Sequence, residues 1–398
     1  MTDPDRRIGP RHTVALVFDL AWHSAEASHQ ERLLAYVNLY QDDLPPALAQ
    51  GLLGQAAGFV LELDLAPDQA FGPWQAELVG RIAPGHWHLA DAPPRFGRFY
   101  PRQAFASLAT AGGGAVARLV EVDGDGLRLD LNHPLAGHGL RLAVEVIDPD
   151  VSIRLAAPGP VDWLQRLGQG PGMQARWQGG ATDFYADDPF SRPAEGPDPE
   201  FYAKPRLVPH LDAVARAHLA ALHGRLLQPG GRVLDLMSSL HSHLPAGLEL
   251  AGVAGLGLNV AELAANPALN ERVVQDLNAE PDLPWEDGRF DAVICTSSLE
   301  YLTRPLEVLA QCRRVLRPGG LLVMSFSNRW FPPKVVRIWS ELHEFERLGL
   351  ALDCCLRAGG LTDLHTYSLR GWPRPADDRH FPEHKLSDPV YAVWGRKE

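Results

Sequence analysis

Gly231–Pro245 reads GRVLDLMSSLHSHLP, and it decides the fold of the C-terminal half. Its first six residues form a short apolar run opened by glycine. Val233, Leu234 and Leu236 fall on both faces of an extended chain, so this strand needs cover on both sides, as strands of parallel sheets do. The run then passes into a Ser- and His-rich segment that holds no glycine. Outward from it the pattern repeats. Asp212–Leu227 has apolar residues at three- and four-residue spacing, which predicts a helix. Gly255–Val260 (GLGLNV), Arg272–Leu277, Phe290–Thr296 (FDAVICT) and Leu321–Ser327 (LLVMSFS) predict four more strands, with a helix over Pro305–Val315. Strands alternating with helices predict an α/β, doubly wound, Rossmann-like parallel sheet. Such sheets bind ligands outside the carboxyl ends of their strands. Asp235 and the loop behind it therefore fall in the candidate pocket of a domain spanning 201–396.

The N-terminal part has another rhythm and is expected to be mainly β over residues 11–149. Thr13–Leu20 (TVALVFDL), Phe59–Leu65 (FVLELDL), Gly114–Val122 (GAVARLVEV) and Leu140–Ile147 (LRLAVEVI) carry β-branched or alternating apolar residues between turn signals. Asp123-Gly124 and Asp125-Gly126 signal a hairpin. Pro45–Leu53 predicts a short helix, with proline at its start and Gly54 at its end. Residues 150–200 thin out into Pro, Gly, Asp and Gln and are expected to be a linker with one short helix near Trp163–Leu167.

With 398 residues, the chain has length for two cores. A net charge of −12 with no basic stripe disfavours nucleic acid as a partner. Met1–Arg11 lacks the apolar core of a signal peptide, and no stretch approaches the roughly 18 apolar residues of a membrane span. The cysteines Cys295, Cys312, Cys354 and Cys355 form no CxxC pair. A reducing cytoplasm is the expected location, with Cys354-Cys355 on an apolar helix face. The His241-x-His243 pair lacks a Cys or carboxylate partner at ligand spacing, so no metal is expected.

The C-terminal residues resemble the class I S-adenosylmethionine-dependent methyltransferases, in particular the type 11 group, whose turn into strand five is similar to Leu316–Gly320 (LRPGG). The resemblance implies S-adenosyl-L-methionine as cofactor and assigns positions to it. Asp235, Met237, Ser238 and Ser239 would follow strand one, Asn259 would meet the ribose hydroxyls at the end of strand two, and Asp276 and Leu277 would meet adenine. Ser297, past strand four, would join them. The group's Gly-rich loop after strand one is missing, since Met237, Ser239 and His241 stand where glycines would be. In this the chain resembles a small plant and bacterial subgroup on three motifs: Pro205–Asp212 (PRLVPHLD), Val233–Pro245 (VLDLMSSLHSHLP) and Ser325–Phe331 (SFSNRWF), with Leu240 replacing the subgroup's Trp. On this reading the Ser238 and Ser239 hydroxyls donate to the methionyl carboxylate, and His243 donates to the same group or acts as a base. Arg206, His210 and Asp212 lie at the pocket mouth, and Glu300, Tyr301, Asn328 and Arg329 follow strands four and five. Arg206 or Arg329 would clamp a substrate carboxylate. Methyl transfer needs positioning and, for O or N acceptors, a base. The candidate catalytic set is thus His243, Glu300, Arg206, His210, Asn328 and Arg329, and the methyl acceptor is a small molecule or a peptide.

The N-terminal residues resemble the FKBP-type peptidyl-prolyl isomerases of the SlyD-like branch. Leu44–Gly54 followed by Leu61–Gly72 (LELDLAPDQAFG) is similar to the family's helix, strand and turn. Asp130–Gly137 (DLNHPLAG) followed by Leu140–Val146 is similar to its return from an inserted flap, here residues 76–126. The resemblance implies an apolar cleft lined by Phe18, Leu44, Phe71 and Leu142, and a Pro-containing or unfolded polypeptide as partner. The family's V-F-D-S segment is missing, because residues 21–35 read AWHSAEASHQERLLA. The expected function is a methyltransferase fused to an isomerase-like domain. The alternative is a non-catalytic binding protein that holds peptide on a methyltransferase-like scaffold. Calorimetry with S-adenosylmethionine or its demethylated product separates the two.

Overall fold

The computed structural model describes residues 6–87, 89, 93–105, 116–151, 160–168 and 175–398. The chain divides into two compact units, Met1–Ala186 and Asp187–Glu398. The first contains β1 (Thr13–His23), β2 (Ser28–Asn38), α1 (Pro46–Leu52), β3 (Val60–Leu65), β4 (Val79–Ile82), β5 (Phe99–Pro101), β6 (Val116–Asp123), β7 (Gly126–Asp130), β8 (Leu140–Asp148), α2 (Trp163–Leu167), β9 (Arg176–Trp177) and β10 (Gly180–Ala181). Strands β2-β1-β8-β3 pair antiparallel throughout. The core beside them is built from Val14, Leu16, Phe18 and Leu20 of β1 with Leu48 and Leu52 of α1, the i, i+4 face of a short helix. Between β3 and β8 the chain makes a second sheet, β4-β7-β6-β5. It has its own core of Tyr100, Phe105, Leu119, Leu127 and Leu129. The β6–β7 turn is closed by Asp123, whose Oδ1 accepts from the N–H groups of Asp125 and Gly126 at 2.9 and 3.0 Å. Residues 114 and 115 of the expected third strand, and residues 88, 90–92 and 106–115 of the expected insert, lie outside the described residues.

Strand β2 was not expected. Its alternation is real, but the buried face runs His29, Glu31, Leu33, Ala35, Val37. Two polar residues on the inner face hide the period from an apolar count.

The second unit contains α3 (Asp198–Phe201), α4 (Ala213–Leu226), β11 (Arg232–Leu236), β12 (Gly252–Gly257), α5 (Val260–Ala265), β13 (Glu271–Val274), β14 (Phe290–Thr296), α6 (Pro305–Val315), β15 (Leu316–Phe326), α7 (Arg337–Glu341), α8 (Glu344–Ala358), β16 (Leu361–Arg370) and β17 (Val390–Lys397). Its strands run β13-β12-β11-β14-β15-β17-β16. The first five are parallel and β17 is antiparallel to both neighbours. Val233–Leu236 and Ala292–Cys295 are buried on both faces, as parallel strands under helices must be. The chain leaves β11 toward β12 and β13, then returns to the other side at β14. The carboxyl ends of β11 and β14 thus flank the crevice where this topology takes ligands.

Two strand boundaries differ from expectation. Strand two ends at Gly257 and not at Val260, because Asn259 caps α5: its Oδ1 accepts from Ala261 and Glu262 N–H. Strand three ends at Val274, three residues before Leu277. The expected linker is shared between the units. Trp163 and Leu167 of α2 are buried in the first core, and Asp198 is buried in the second unit on Arg192 and Lys334. Residues 152–159 and 169–174 lie outside the described set. Cys354 and Cys355 are buried within α8, and none of the four cysteines forms a disulfide among the described residues.

Candidate active site

A cavity of about 260 Å³ opens at the carboxyl ends of β11, β12, β13 and β14, and the Gly-poor loop after β11 forms its floor. The loop keeps the backbone shape glycine would favour. Met237 has φ +54° and His243 φ +51°, both in the left-handed region that non-glycine residues rarely occupy. Hydrogen bonds hold that shape. Ser238 N–H donates to the Leu256 carbonyl at 2.7 Å, on the end of β12. Ser238 and Ser242 hydroxyls both donate to Asp235 Oδ2, at 2.6 and 2.7 Å. Asn266 donates to the Ser239 carbonyl at 2.9 Å and to Ser242 Oγ at 3.0 Å. From α4, His223 Nδ1 meets the His243 carbonyl at 2.9 Å. A carbonyl only accepts, so Nδ1 carries the proton. Burial pushes the His223 imidazole down to about 4, which keeps it neutral.

This geometry corrects several sequence assignments. The Ser238 and Ser239 hydroxyls were expected to donate to a methionyl carboxylate. Their single protons go instead to Asp235 and to Glu262 Oε2, the latter at 2.6 Å. Asn259 was expected at the ribose. Its Oδ1 caps α5 while its Nδ2 donates to the Tyr202 and Ala203 carbonyls at 2.9 and 3.1 Å, so the amide is fully used. Asn328 lies away from the cavity, donating to Glu344 at 2.6 Å and accepting from Arg347 at 3.2 Å. Glu300 also misses the cavity. It is fully buried, neither oxygen has a hydrogen-bond partner among the described residues, and burial raises its carboxyl to about 8. Asp212 caps α4 and pairs with Arg374 at 3.4 Å. His243 does line the cavity, but burial and the neighbouring His223 and His241 push it down to about 3, too weakly basic to take a proton near neutrality.

What remains in the cavity is a set of polar groups with open hydrogen-bonding capacity. Asp276 and Leu277 sit side by side after β13 and line the cavity. Among the described residues, Asp276 Oδ1 accepts only from Asn278 N–H, at 3.0 Å, and no backbone acceptor takes the Leu277 N–H. That pair offers the acceptor and donor an adenine edge requires. Ser297 lines the same space with φ +49° and a buried hydroxyl that has no partner. Asp235 is held by the serines and raised to about 6 by its burial. Arg206 lies among three rings, its Cζ 4.9 Å from Phe201, 5.4 Å from Tyr202 and 4.9 Å from Phe331. Its Nη1 is buried and has no hydrogen-bond partner among the described residues, while Nη2 donates to the Phe201 carbonyl at 3.4 Å. His210 packs edge-on to Phe331 at 5.6 Å. Arg329 reaches the cavity but leans on Asp388 at 3.6 Å and His380 at 3.1 Å. Sequence reading missed Glu262, which lines the cavity and accepts from the Arg206 N–H at 2.6 Å. The only signal was the Asn-x-x-Glu spacing from 259 to 262, which reads as a helix start and not as a pocket.

In the first unit, Phe18, Leu44, Phe71 and Leu142 do gather around one core, but not as an open cleft. Phe18 and Leu142 are fully buried. Trp163 stacks on Phe18 at 5.5 Å and donates its indole N–H to Asp42 at 2.8 Å. Phe71 stacks on His133 at 3.6 Å, and a side chain at Gly168 would strike both rings.

Residues 246–324 match the model of the family described as a methyltransferase domain. A ubiquinone biosynthesis O-methyltransferase from Xanthomonas campestris pv. campestris is 33% identical over 147 residues, covering 34% of this chain and 55% of that protein. A ubiquinone/menaquinone biosynthesis C-methyltransferase from Burkholderia mallei is 31% identical over 117 residues, 27% of this chain and 48% of its own. The chain thus spans about half the length of these curated relatives. Among solved structures, a methyltransferase from Aquifex aeolicus covers 51% of this chain and 100% of its own at 17% identity, with a TM-score of 0.32. No helix among the described residues is long and apolar enough to cross a membrane. Residues 246–324 of the C-terminal unit are thus similar to a methyltransferase domain, and the match supports S-adenosylmethionine as the cofactor.

Proposed function

We propose that this methyltransferase domain is catalytic and acts on a small molecule that carries an acidic group. The observation that carries the reading is the cavity's set of polar groups with capacity left among the described residues: the Asp276 carboxylate, the Leu277 N–H, the Ser297 hydroxyl and Arg206 Nη1. Arg206 is half-buried, and its buried Nη1 keeps a donor that a ligand carboxylate can take. Arg206 is therefore assigned to an acceptor carboxylate, with the rings of Phe201, Tyr202 and Phe331 as walls for a flat body. His210 is the imidazole assigned as base: burial lowers it too, but it is the more exposed of the two, whereas His243 is pushed down to about 3. When bound, S-adenosylmethionine supplies an electrophilic methyl group, and the chain's own residues position the acceptor and exclude water. The relatives are named for ubiquinone biosynthesis, which favours a small-molecule acceptor over a peptide. Calorimetry with S-adenosylmethionine and S-adenosylhomocysteine tests the reading. Micromolar binding is expected, and no heat from either compound refutes it.

For the first unit we propose a SlyD-like FKBP-type fold whose role is holding polypeptide, with at most weak isomerisation. The second sheet inserted between β3 and β8 supports the fold. The Trp163 indole packed on Phe18 argues against an open prolyl cleft. A protease-free assay of the full chain on a short X-Pro peptide checks this, and turnover at the level of an ordinary isomerase overturns it.

A further inference from the structure

We propose that Glu262 is the carboxylate that receives the ribose hydroxyls of the cofactor, an inference that rests on the S-adenosylmethionine reading and assigns a residue that reading left without a task. A ribose offers two adjacent hydroxyl donors, and a carboxylate has the lone pairs to accept both. Four carboxylates line the cavity: Asp198, Asp235, Glu262 and Asp276. Asp198 is committed to Arg192 and Lys334 at 2.8 Å each and to Asn278 at 2.8 Å. Asp235 lies beneath the loop and is covered by the two serine hydroxyls. Asp276 stands next to Leu277 beyond β13, at the outer edge of the sheet. The Asn259 amide is saturated.

The end of β12 itself carries no carboxylate, because residue 257 is glycine. A Cβ there would collide with the Ser238 carbonyl oxygen. Glu262 is the remaining acid. It sits in the first turn of the helix that follows β12, with its N–H fixed by the Asn259 cap. Oε1 accepts from Arg206 N–H and Oε2 from Ser239 Oγ, both at 2.6 Å. Each carboxylate oxygen has room for a second donor. The two bonds hold the group between the loop after β11 and the segment before α4, and among the described residues no Lys or Arg forms an ion pair with it.

The test uses the full chain and three probes: S-adenosylhomocysteine, adenosine and 2′,3′-dideoxyadenosine. Wild type is expected to bind S-adenosylhomocysteine and to prefer adenosine over the dideoxy compound by about tenfold or more, the worth of a charge-assisted pair. In Glu262→Gln that preference falls below about threefold, while the dideoxy compound binds as before. Ser239→Ala removes the loop contact but keeps the carboxylate, so it retains the preference. If Glu262→Gln keeps the sugar preference, or Ser239→Ala loses it equally, the assignment to Glu262 is wrong. If wild type binds no S-adenosylhomocysteine, the cofactor reading itself fails.

Discussion

The groove of the first unit and the cavity of the second both use aromatic walls, but they are finished in opposite ways. In the first, Phe18 is covered by Trp163, and the one polar atom of that indole is satisfied by Asp42. In the second, Phe201, Tyr202 and Phe331 surround a guanidinium whose Nη1 has no hydrogen-bond partner among the described residues, and Ser297 Oγ, which lines the same cavity, has none there either. An apolar groove is completed by any apolar side chain, since burial asks for no specific geometry. A polar cavity is completed only by a molecule that matches its donors and acceptors. Leftover polar groups are therefore the better guide to where this chain takes a ligand.

The largest test of that contrast is Trp163→Ala. If the indole completes the first core, its loss costs about 3–5 kcal/mol in denaturant unfolding. A change under about 1 kcal/mol would mean the groove is open in solution and the contrast false.

Next is Glu300→Gln. The folded carboxyl titrates near 8 against an ordinary 4.5. The folded chain thus holds a proton that the unfolded chain releases, so stability declines as pH rises from 4.5 through 8. The glutamine variant should behave like wild type near pH 4 and gain roughly 2–4 kcal/mol at pH 9. Thermal midpoints across pH would show it, and parallel curves would place the carboxylate in water.

Asp276→Ala sharpens the second half of the contrast. It should weaken S-adenosylhomocysteine by about 1.5–3 kcal/mol and leave the fold unchanged. The smallest effect belongs to Met237→Gly. Relief of the left-handed backbone offsets the lost side chain, so stability moves by less than about 1 kcal/mol and binding is retained. A large loss of affinity would mean that the methionine side chain, and not the backbone shape, forms the floor.

The second unit was legible from sequence in its first five strands, because buried parallel strands are short apolar runs between glycines and helices. β16 and β17 escaped notice because Leu361–Arg370 mixes Thr, His and Ser into a strand whose cover comes from α8. The site was legible by place and not by role. Position along the chain put Ser238, Ser239 and Asn259 at the pocket. Only the folded geometry reveals that their hydrogen-bonding capacity is spent on the protein itself. Glu262 was overlooked because a cap and a pocket wall share one spacing in sequence.

Gly257 and the loop after β11 constrain what mutation can reach. An acid introduced directly on the end of β12 meets the Ser238 carbonyl, which is held in place by the Leu256–Ser238 bond. Glycines at 237, 239 and 241 would leave the Ser238 and Ser242 donors on Asp235 and remove only the Ser239 hydroxyl from Glu262. Selection at position 257 therefore acts through a neighbour's backbone oxygen, a veto that no exchange of side chains in the loop lifts.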